Sequence, residues 1–281
     1  MSSIIEQDYP EPHGSTGSSS PPRQASPSQV VQGEVLEMAL SPSLRSAGRG
    51  AGRAYEQKFL LDEPQAREVE ALLRRRLALD PHAQPALDGA YAVTSLYCDT
   101  PQFDVFHRLG THKYRKFRIR RYGDESIVYL ERKDKRGAQV RKRRAFIDEL
   151  ELPRLAGFPS DAPWSGLWFH QQLLDRRMQP VCCVRYLRTA YVGQFDDGPV
   201  RLTFDRQVRA EPGFEWTLSQ NAAGTPVLPD QVICEFKYRG ALPLMFKSAI
   251  ETLKLSPQGV SKYRYSLRAL GTPGDGSPPH A

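Results

Sequence analysis

Basic residues recur at every second position within residues 113–144, a segment whose two turn signals predict three short strands. Because successive side chains of a strand point to opposite faces, the cations share one face of each strand. Apolar residues such as Phe117 and Ile119 share the other face. Pairing of the three strands would join the charged faces into one array. The charged residues predicted to share this array are Lys116, Arg118, Arg120, Glu131, Lys133, Lys142 and Arg144.

The density of positive charge in this segment points to an anionic ligand. Residues 113–144 contain fourteen basic and four acidic residues, a net charge of +10, which exceeds the +7 of the whole chain. Like charges directly opposite each other destabilise a sheet, so a face this basic favours a bound polyanion over the alternative of a merely solvated surface. Planar Arg groups and Lys point charges together suit phosphate oxygens best.

Composition predicts a cytoplasmic protein without a membrane segment. A chain of 281 residues with 40% hydrophobic residues can build a substantial core. Its four cysteines form no Cys-x-x-Cys pair, which argues against a zinc site or a disulfide framework and is typical of a reducing compartment. No apolar run approaches the ~20 residues of a membrane helix, and the N-terminus lacks the pattern of a signal peptide.

Three regions of different composition divide the chain. Residues 1–50 are rich in Ser, Pro and Gly and are predicted to be disordered, as is a tail over residues 271–281. Residues 51–270 are predicted to form one α+β domain with about eight antiparallel strands and a few flanking helices. The strands predicted outside the cationic segment are residues 55–61, 91–99, 181–191, 200–206 and 232–238.

Three helices are predicted within this domain. The first is capped by Asp62, with Pro64 in its first turn. The second covers about residues 164–178 and is introduced by Ser160 and Asp161. The third covers about residues 243–255. The apolar residues predicted to anchor the first and third helices are Val69, Leu72, Leu73 and Leu77, and Leu244, Ile250 and Leu253.

Charged residues share one face of most of the remaining strands too. In a β-sandwich these charged positions would form the solvent-facing side. In a closed eight-stranded barrel they would line a polar lumen, and the barrel explains the charges at least as well as the sandwich does. A lumen lined by Lys, Arg and a few Glu suits phosphates bridged by a divalent metal, because carboxylates bind hard Mg²⁺ or Mn²⁺. The residues concerned are Glu56, Lys58, Arg188, Arg201, Glu235 and Lys237.

Nine short motifs follow one another in an order that resembles the VTC domain. This is the vacuolar transporter chaperone family, a polyphosphate polymerase branch of the triphosphate tunnel metalloenzymes. The resemblance covers residues 53–270. The motifs are YEQKF at 55–59, SLYCDT at 95–100, KFRIRRY at 116–122, LERK at 130–133, KRRA at 142–145, YLR at 186–188, LTFD at 202–205, EFK at 235–237 and SKY at 261–263.

The resemblance implies an eight-stranded antiparallel β-barrel in the form of a tunnel, in which ATP lengthens a polyphosphate chain. It implies Mn²⁺ or Mg²⁺ as the cofactor and no nucleic-acid partner. Glu235 matches the metal-binding glutamate of the family, and Glu56 and Glu131 are further acidic positions for the metal.

The resemblance also implies seven cationic phosphate ligands. Three of them, Arg118, Arg120 and Lys133, are implied to be catalytic together with Glu235. The seven ligands are Lys58, Arg118, Arg120, Lys133, Lys142, Arg188 and Lys262.

The first strand departs from the pattern of the wider superfamily. Hydrolytic members open with Glu-x-Glu-x-Lys, whereas here Glu56 and Lys58 follow Ala54. The missing acid fits the polymerase branch and weakens the alternative of a tripolyphosphatase or nucleoside triphosphatase. A non-catalytic polyphosphate- or nucleic-acid-binding module is a second alternative, since aromatic residues that could stack on bases are interleaved with the cations. These are Tyr114, Tyr122 and Tyr129.

Three other motif residues are predicted to have structural roles. Tyr97 and Asp99 are interpreted as part of the scaffold, and Asp205 as a charge partner of Arg201 or Arg206.

Overall fold

The computed structural model describes residues 54–136, 139–159, 163–195, 198–218 and 223–271. The predictions of disorder for residues 1–50 and for residues 272–281 lie outside this part of the chain. So does the predicted helix start at Ser160 and Asp161.

Eight long strands form one antiparallel sheet, as the sequence predicts. Their order in the sheet is β1-β10-β8-β7-β3-β4-β5-β6, and the two-residue strands β2 and β9 pair with β7 and β8. The strands are β1 (Ala54–Leu61), β2 (Ala78–Leu79), β3 (Ala90–Asp99), β4 (Arg115–Tyr122), β5 (Ile127–Arg136), β6 (Gln139–Asp148), β7 (Gln179–Phe195), β8 (Gly198–Pro212), β9 (Thr225–Pro226) and β10 (Val232–Arg239).

The described residues contain five α-helices, and two of them, a four-residue helix and the helix Lys262–Ala269, were not predicted from the sequence. The five helices are α1 (Glu63–Leu73), α2 (Asp104–His107), α3 (Leu167–Asp175), α4 (Leu244–Thr252) and α5 (Lys262–Ala269). Short 3-10 helices lie at Arg74–Arg76, Pro85–Leu87, His112–Tyr114 and Glu149–Ala156.

Helices cover the apolar face of the sheet in two places. Helices α1 and α4 pack on β1, β8 and β10, where the rings of Phe236 and Phe246 stack with centroids 4.4 Å apart. Helix α3 packs on β4 and β5, where Phe117 and Phe169 meet at 5.8 Å. Helix α5 lies on the opposite, charged side of the sheet, where Lys262 contacts Asp205. All four rings are fully buried, and burying a side chain of this size contributes about 1.5–3 kcal/mol.

The first helix begins where the sequence predicts. The Asp62 carboxylate accepts a hydrogen bond from the Gln65 amide at 2.8 Å, and Pro64 occupies the first turn. Val69 and Leu73 are buried, as expected. Leu72 is exposed, contrary to prediction, because the helix ends at Leu73 and its buried face is too narrow to include position 72. Leu77 lies beyond the helix, although it still packs against the core.

The anchors of the third predicted helix need correction. Leu244 is the first residue of α4 and is 75% exposed, whereas Met245, Phe246 and Ala249 are the buried residues. Pro243 is the N-cap, so the helix starts with Leu244 on the side facing away from the sheet. Ile250 and Leu253 are partly buried against the same core.

The sheet curls towards its charged face. Six strand-to-strand steps separate β1 from β5, which is about 29 Å in a flat sheet at ~4.8 Å per step. Yet Lys133 Nζ on β5 lies 2.9 Å from Glu56 Oε2 on β1. Only a strongly curved sheet allows this contact, so the charged face is concave.

The predicted closed barrel is not confirmed. The strands β1 and β6 end the ladder, and no backbone pairing joins them in the described part of the chain. An ion pair between Glu56 on β1 and Lys133 on β5 bridges the opening between the two sides of the curled sheet instead. We call the charged side of the sheet the concave face; its polar residues are Glu56, Lys58, Ser95, Tyr97, Lys116, Arg118, Arg120, Tyr122, Glu131, Lys133, Lys142, Arg144, Tyr186, Arg188, Arg201, Thr203, Asp205, Glu235 and Lys237.

The structure describes the four cysteines and the hydropathy of the helices. All four cysteines are free and buried, with no disulfide between them. Among the described residues, no helix combines the length and the hydropathy that crossing a bilayer would require.

Candidate active site

The predicted strand parity is confirmed on β4. Arg118 and Arg120 point to the concave face, where they contact Glu131 and Ser95. Arg121 points to the opposite side and binds both oxygens of Glu149 at 2.8 and 2.7 Å. The regular ladders from β4 through β5 to β6 carry the same alternation across all three strands, which places the cationic array on one face.

A pair of carboxylates, Glu56 and Glu235, lies at one side of the concave face. Glu56 Oε1 accepts from Lys58 Nζ at 3.0 Å and Oε2 from Lys133 Nζ at 2.9 Å. Glu235 Oε1 accepts from Lys237 Nζ at 3.0 Å. The antiparallel register of β1 and β10 places Lys58 opposite Glu235, which brings the two acids within direct interaction distance.

The surrounding lysines keep both acids ionised. Burial would raise the pKa of Glu56, but Lys58 and Lys133 outweigh it and hold that pKa well below its usual range. Burial and the neighbouring Glu56 would raise the pKa of Glu235, but Lys237 and Lys58 lower it. Two adjacent carboxylates that are both negative at neutral pH attract a divalent cation.

The carboxylate oxygens of Glu56 and Glu235 are suitable ligands for Mg²⁺ or Mn²⁺. Such ions bind one or two carboxylates and complete their shell with water and substrate phosphates. No cluster of three or more His, Cys, Asp or Glu residues suited to a metal occurs in the described ranges, so phosphate oxygens would have to supply the rest. Thr203 lies opposite Glu235 in the ladder, and its buried hydroxyl has no hydrogen-bond partner among the described residues. This hydroxyl can bind a water or phosphate at the same place.

The third predicted metal position, Glu131, is surrounded by cations. Arg118 donates to its Oε2 through Nε at 2.7 Å and Nη2 at 2.6 Å. Oε1 accepts from Lys142 at 2.5 Å and from Arg144 at 2.6 Å. Glu131 is almost completely buried, and these contacts occupy both oxygens. The arrangement favours a role in holding three cations together rather than a role as a metal ligand.

This crowding changes the ionisation of the groups around Glu131. Burial would raise the pKa of Tyr122, yet Arg120 and Arg144 lower it to about 6. Burial lowers the pKa of Lys142 to about 8, although Glu131 opposes the change. Burial also opposes ionisation of Glu131, but Arg118 and Lys142 hold its pKa well below the usual range.

Arg188 and Lys262 converge on Asp205. Arg188 binds both oxygens of the carboxylate at 2.6 and 2.8 Å, and Lys262 at the start of α5 binds Oδ2. The predicted pairing of Asp205 with Arg201 or Arg206 is wrong. Arg201 contacts Asp80 at 2.7 Å, and Arg206 lies on the other face. Because arginine side chains are long, the residues next to them in sequence do not show which carboxylate each one contacts.

Two cations on β4 donate hydrogen bonds only to hydroxyl groups among the described residues. Arg120 is 5% exposed and donates to Ser95 Oγ and Tyr186 Oη, each at 3.0 Å. Lys116, which the predicted ligand set omits, donates to Ser261 Oγ at 2.9 Å. No carboxylate of the described residues lies within ion-pair distance of either group. Arg120 is buried without a carboxylate counter-ion, which is costly, and Lys116 is partly buried, so these two positions favour a bound anion.

Lys116 is also the most perturbed lysine of the site. Burial and the neighbouring Lys58, Lys133 and Arg118 lower its pKa to about 7. Its alternation with Arg118 and Arg120 was a sequence signal that could have added it to the predicted ligands.

Helix α5 brings a further cation to the concave face. Ser261 caps this helix by accepting a hydrogen bond from the Arg264 amide at 3.5 Å. The serine cap and the buried residues Tyr263, Ser266 and Leu267 form a helix signal that the sequence analysis missed. The result is that Lys262 reaches the carboxylate of Asp205 from above the sheet.

Asp99 has the structural role predicted for it, whereas the structural role of Tyr97, which lies on the concave face beside Arg118, stays a prediction. The buried Asp99 carboxylate accepts hydrogen bonds from the amides of Thr100, Val105 and Phe106 at 2.7–2.9 Å and from the Tyr263 hydroxyl. It thereby joins β3, α2 and α5. The ring of Tyr97 stacks on Tyr263 with centroids 5.3 Å apart.

The VTC domain family matches residues 53–270, which is most of the chain. The chain therefore belongs to the VTC domain family. The resemblance stated from the nine sequence motifs is confirmed over the same residues. No curated protein sequence matches the chain.

Solved structures with similar coordinates share little sequence with the chain. A candidate adenylate cyclase from Bacillus halodurans is 14% identical, with a TM-score of 0.44 over 76% of this chain and 96% of that chain. The candidate adenylyl cyclase HpAC1 from Hippeastrum, described as having a dominant triphosphatase activity, is 16% identical, with a TM-score of 0.44 over 78% and 96%. The PH1819 protein from Pyrococcus horikoshii OT3 is 16% identical, with a TM-score of 0.35 over 71% and 86%.

Proposed function

We propose that this protein is a polyphosphate polymerase that transfers the γ-phosphoryl group of ATP to a growing polyphosphate chain with the help of Mn²⁺ or Mg²⁺. The observation that carries this proposal is that Arg120 and Lys116 donate hydrogen bonds to hydroxyl groups and form no ion pair with a carboxylate of the described residues. They lie four residues apart on β4, about 14 Å along the strand, so a single ligand that contacts both is an extended polyanion.

The total charge of the concave face supports the same substrate. Four carboxylates face a larger set of lysines and arginines, which exceeds what one metal-bound triphosphate would neutralise. A growing phosphate chain supplies the missing negative charge. The four carboxylates are Glu56, Glu131, Asp205 and Glu235, and the cations are Lys58, Lys116, Arg118, Arg120, Lys133, Lys142, Arg144, Arg188, Lys237 and Lys262.

Each cluster has a distinct part in the proposed transfer. Glu56 and Glu235 would hold the divalent metal, which when bound neutralises phosphate charge and polarises the γ-phosphoryl group. Arg118 and Arg120 would bind non-bridging oxygens of the nucleotide, and Lys133 lies between the metal pair and the other cations of β5 and β6. Such chemistry needs positioning and charge neutralisation rather than covalent help from the protein.

Arg188 and Lys262 would hold the acceptor chain. Arg188 and Lys262 share Asp205 on β8, two residues along that strand from Thr203 and the metal pair. An acceptor phosphate bound there would lie beside the nucleotide phosphates. Because Asp205 already neutralises part of this charge, the acceptor would be held loosely enough to advance after each transfer.

The experiment that tests the proposal is the incubation of purified protein with ATP and Mn²⁺, followed by gel electrophoresis of the products. We expect ADP and a ladder of long polyphosphate, with Glu235→Gln as the inactive control. Free phosphate in amounts equal to ADP, without a ladder, would replace the proposal with a triphosphatase. Binding of polyphosphate without any turnover would leave a binding module.

A further inference from the structure

Strand β6 carries an aromatic residue in line with two of its cations. Lys142, Arg144 and Phe146 alternate along one face of β6, and the ladder to β5 continues without a bulge through Ile127 and Asp148. Lys142 and Arg144 both reach Glu131 on the concave face. Phe146 therefore lies on the concave side of the strand, yet its side chain is 63% exposed.

Aromatic rings continue from Phe146 across the neighbouring strands. Tyr129 is the ladder partner of Phe146 on β5, and its ring carries the Arg144 guanidinium at 4.3 Å from the centroid. The rings of Tyr129 and Tyr122 meet edge to face at 5.5 Å, and His82 stacks on Tyr122 at 4.8 Å. Phe146 ends this row without a ring partner among the described residues, so its exposed face is available for stacking.

The spacing along β6 matches an extended nucleoside triphosphate. Phe146 lies four residues beyond Lys142, which is about 14 Å of extended strand. A nucleotide whose phosphates contact Lys142 and Arg144 would place its base at Phe146. Every nucleobase has an apolar π-face that stacks on aromatic side chains. Phe146 is the aromatic residue that β6 offers for this stacking.

We propose that Phe146, supported by Tyr129, is the platform on which the base of the nucleotide substrate stacks. This inference rests on the proposed function in one respect only: the cations of β4 to β6 must bind nucleotide phosphates. Stacking does not read the hydrogen-bonding edges of a base, so the platform gives affinity for nucleotides over inorganic phosphates without strict selection of ATP over GTP.

Calorimetric titration with two probes, ATP and inorganic tripolyphosphate, tests the platform. Loss of one base–aromatic stack costs roughly 5- to 140-fold in affinity. Phe146→Ala should weaken ATP binding by this factor and leave tripolyphosphate binding unchanged. Phe146→Trp should retain or tighten ATP binding. Because the side chain is largely exposed, the thermal midpoint of the alanine variant should equal that of the wild type.

A matched control is Phe158→Ala, because Phe158 is 94% exposed and follows the 3-10 helix outside the sheet. This variant should bind both probes like the wild type. Equal affinity of Phe146→Ala and the wild type for ATP would overturn the platform, and so would an equal loss for ATP and tripolyphosphate. A wild-type protein that binds ATP but makes no polyphosphate would refute the polymerase while leaving the platform intact. Failure of the wild type to bind either probe would refute both.

Discussion

Replacing Glu131 with Gln should destabilise the ligand-free protein and increase its stabilisation by polyanions. The buried carboxylate holds Arg118, Lys142 and Arg144 at 2.5–2.9 Å. Glutamine keeps the shape but leaves three neighbouring cations without their counter-ion. Removing one partner of a buried ion pair costs about 3–5 kcal/mol. For a domain of this size about 1 kcal/mol corresponds to roughly 2–4 °C, so the expected loss is about 6–20 °C in Tm.

Thermal unfolding with and without inorganic tripolyphosphate measures both effects. A bound polyphosphate replaces the lost negative charge, so tripolyphosphate should raise the Tm of Glu131→Gln by more than it raises the wild-type Tm. The matched control is Glu149→Gln, which breaks the ion pair with Arg121 on the opposite face. This control should lose stability without any extra gain from tripolyphosphate.

The same variant distinguishes the two roles considered for Glu131. If the carboxylate organises cations, Mn²⁺ affinity should be unchanged in Glu131→Gln. A loss of Mn²⁺ affinity would support the metal role predicted from the sequence. An unchanged Tm, or equal gains from tripolyphosphate in the wild type and the variant, would refute the reasoning about this cluster.

Four further predictions follow from the other clusters. Glu235→Gln should abolish turnover and Mn²⁺-dependent ATP binding, while calorimetry should show metal-free polyphosphate binding that persists or tightens; normal turnover would contradict the metal role. Tripolyphosphate affinity should fall as pH rises through 7 and 8, because Lys116 and Lys142 have pKa values lowered to about 7 and about 8 and lose their charge there. Lys116→Arg should flatten the lower part of that profile, and an unchanged profile would show that Lys116 does not contact the anion. Asp99→Asn should cost about 3 kcal/mol of unfolding free energy in a denaturant titration, with turnover per folded molecule unchanged, since its hydrogen bonds are structural. Ala54→Glu should raise the yield of free phosphate per ADP if the missing first-strand acid separates polymerase from hydrolase; no increase would locate that difference elsewhere.

Which side chains share a face of each strand was predictable from the sequence, because the alternation of side chains along a strand is a local property. Arg118 and Arg120 share a face wherever the strand lies, and the structure confirms their separation from Arg121. The cap of α1 at Asp62 was equally local, since it depends on the amide three residues further on. Such features follow from backbone periodicity and from hydrogen bonds between near neighbours.

The partners of the charged residues were not predictable in the same way. Lys133 meets Glu56 only because the sheet curls, and Asp205 meets Lys262 only because α5 folds back onto the sheet. Both contacts depend on the relative placement of elements that are distant in sequence. The lowered pKa of Lys116 has the same origin, because it results from burial and from neighbouring cations on three different strands.

The course of ATP consumption, followed by phosphorus NMR in the presence of Mn²⁺, tests the central proposal most directly. Signals from mid-chain phosphate, from terminal phosphate and from free phosphate are separate, so one experiment shows where each γ-phosphoryl group goes. The proposal predicts mid-chain phosphate that grows in step with ADP, with little free phosphate at early times. Free phosphate that grows in step with ADP, without a mid-chain signal, would contradict it.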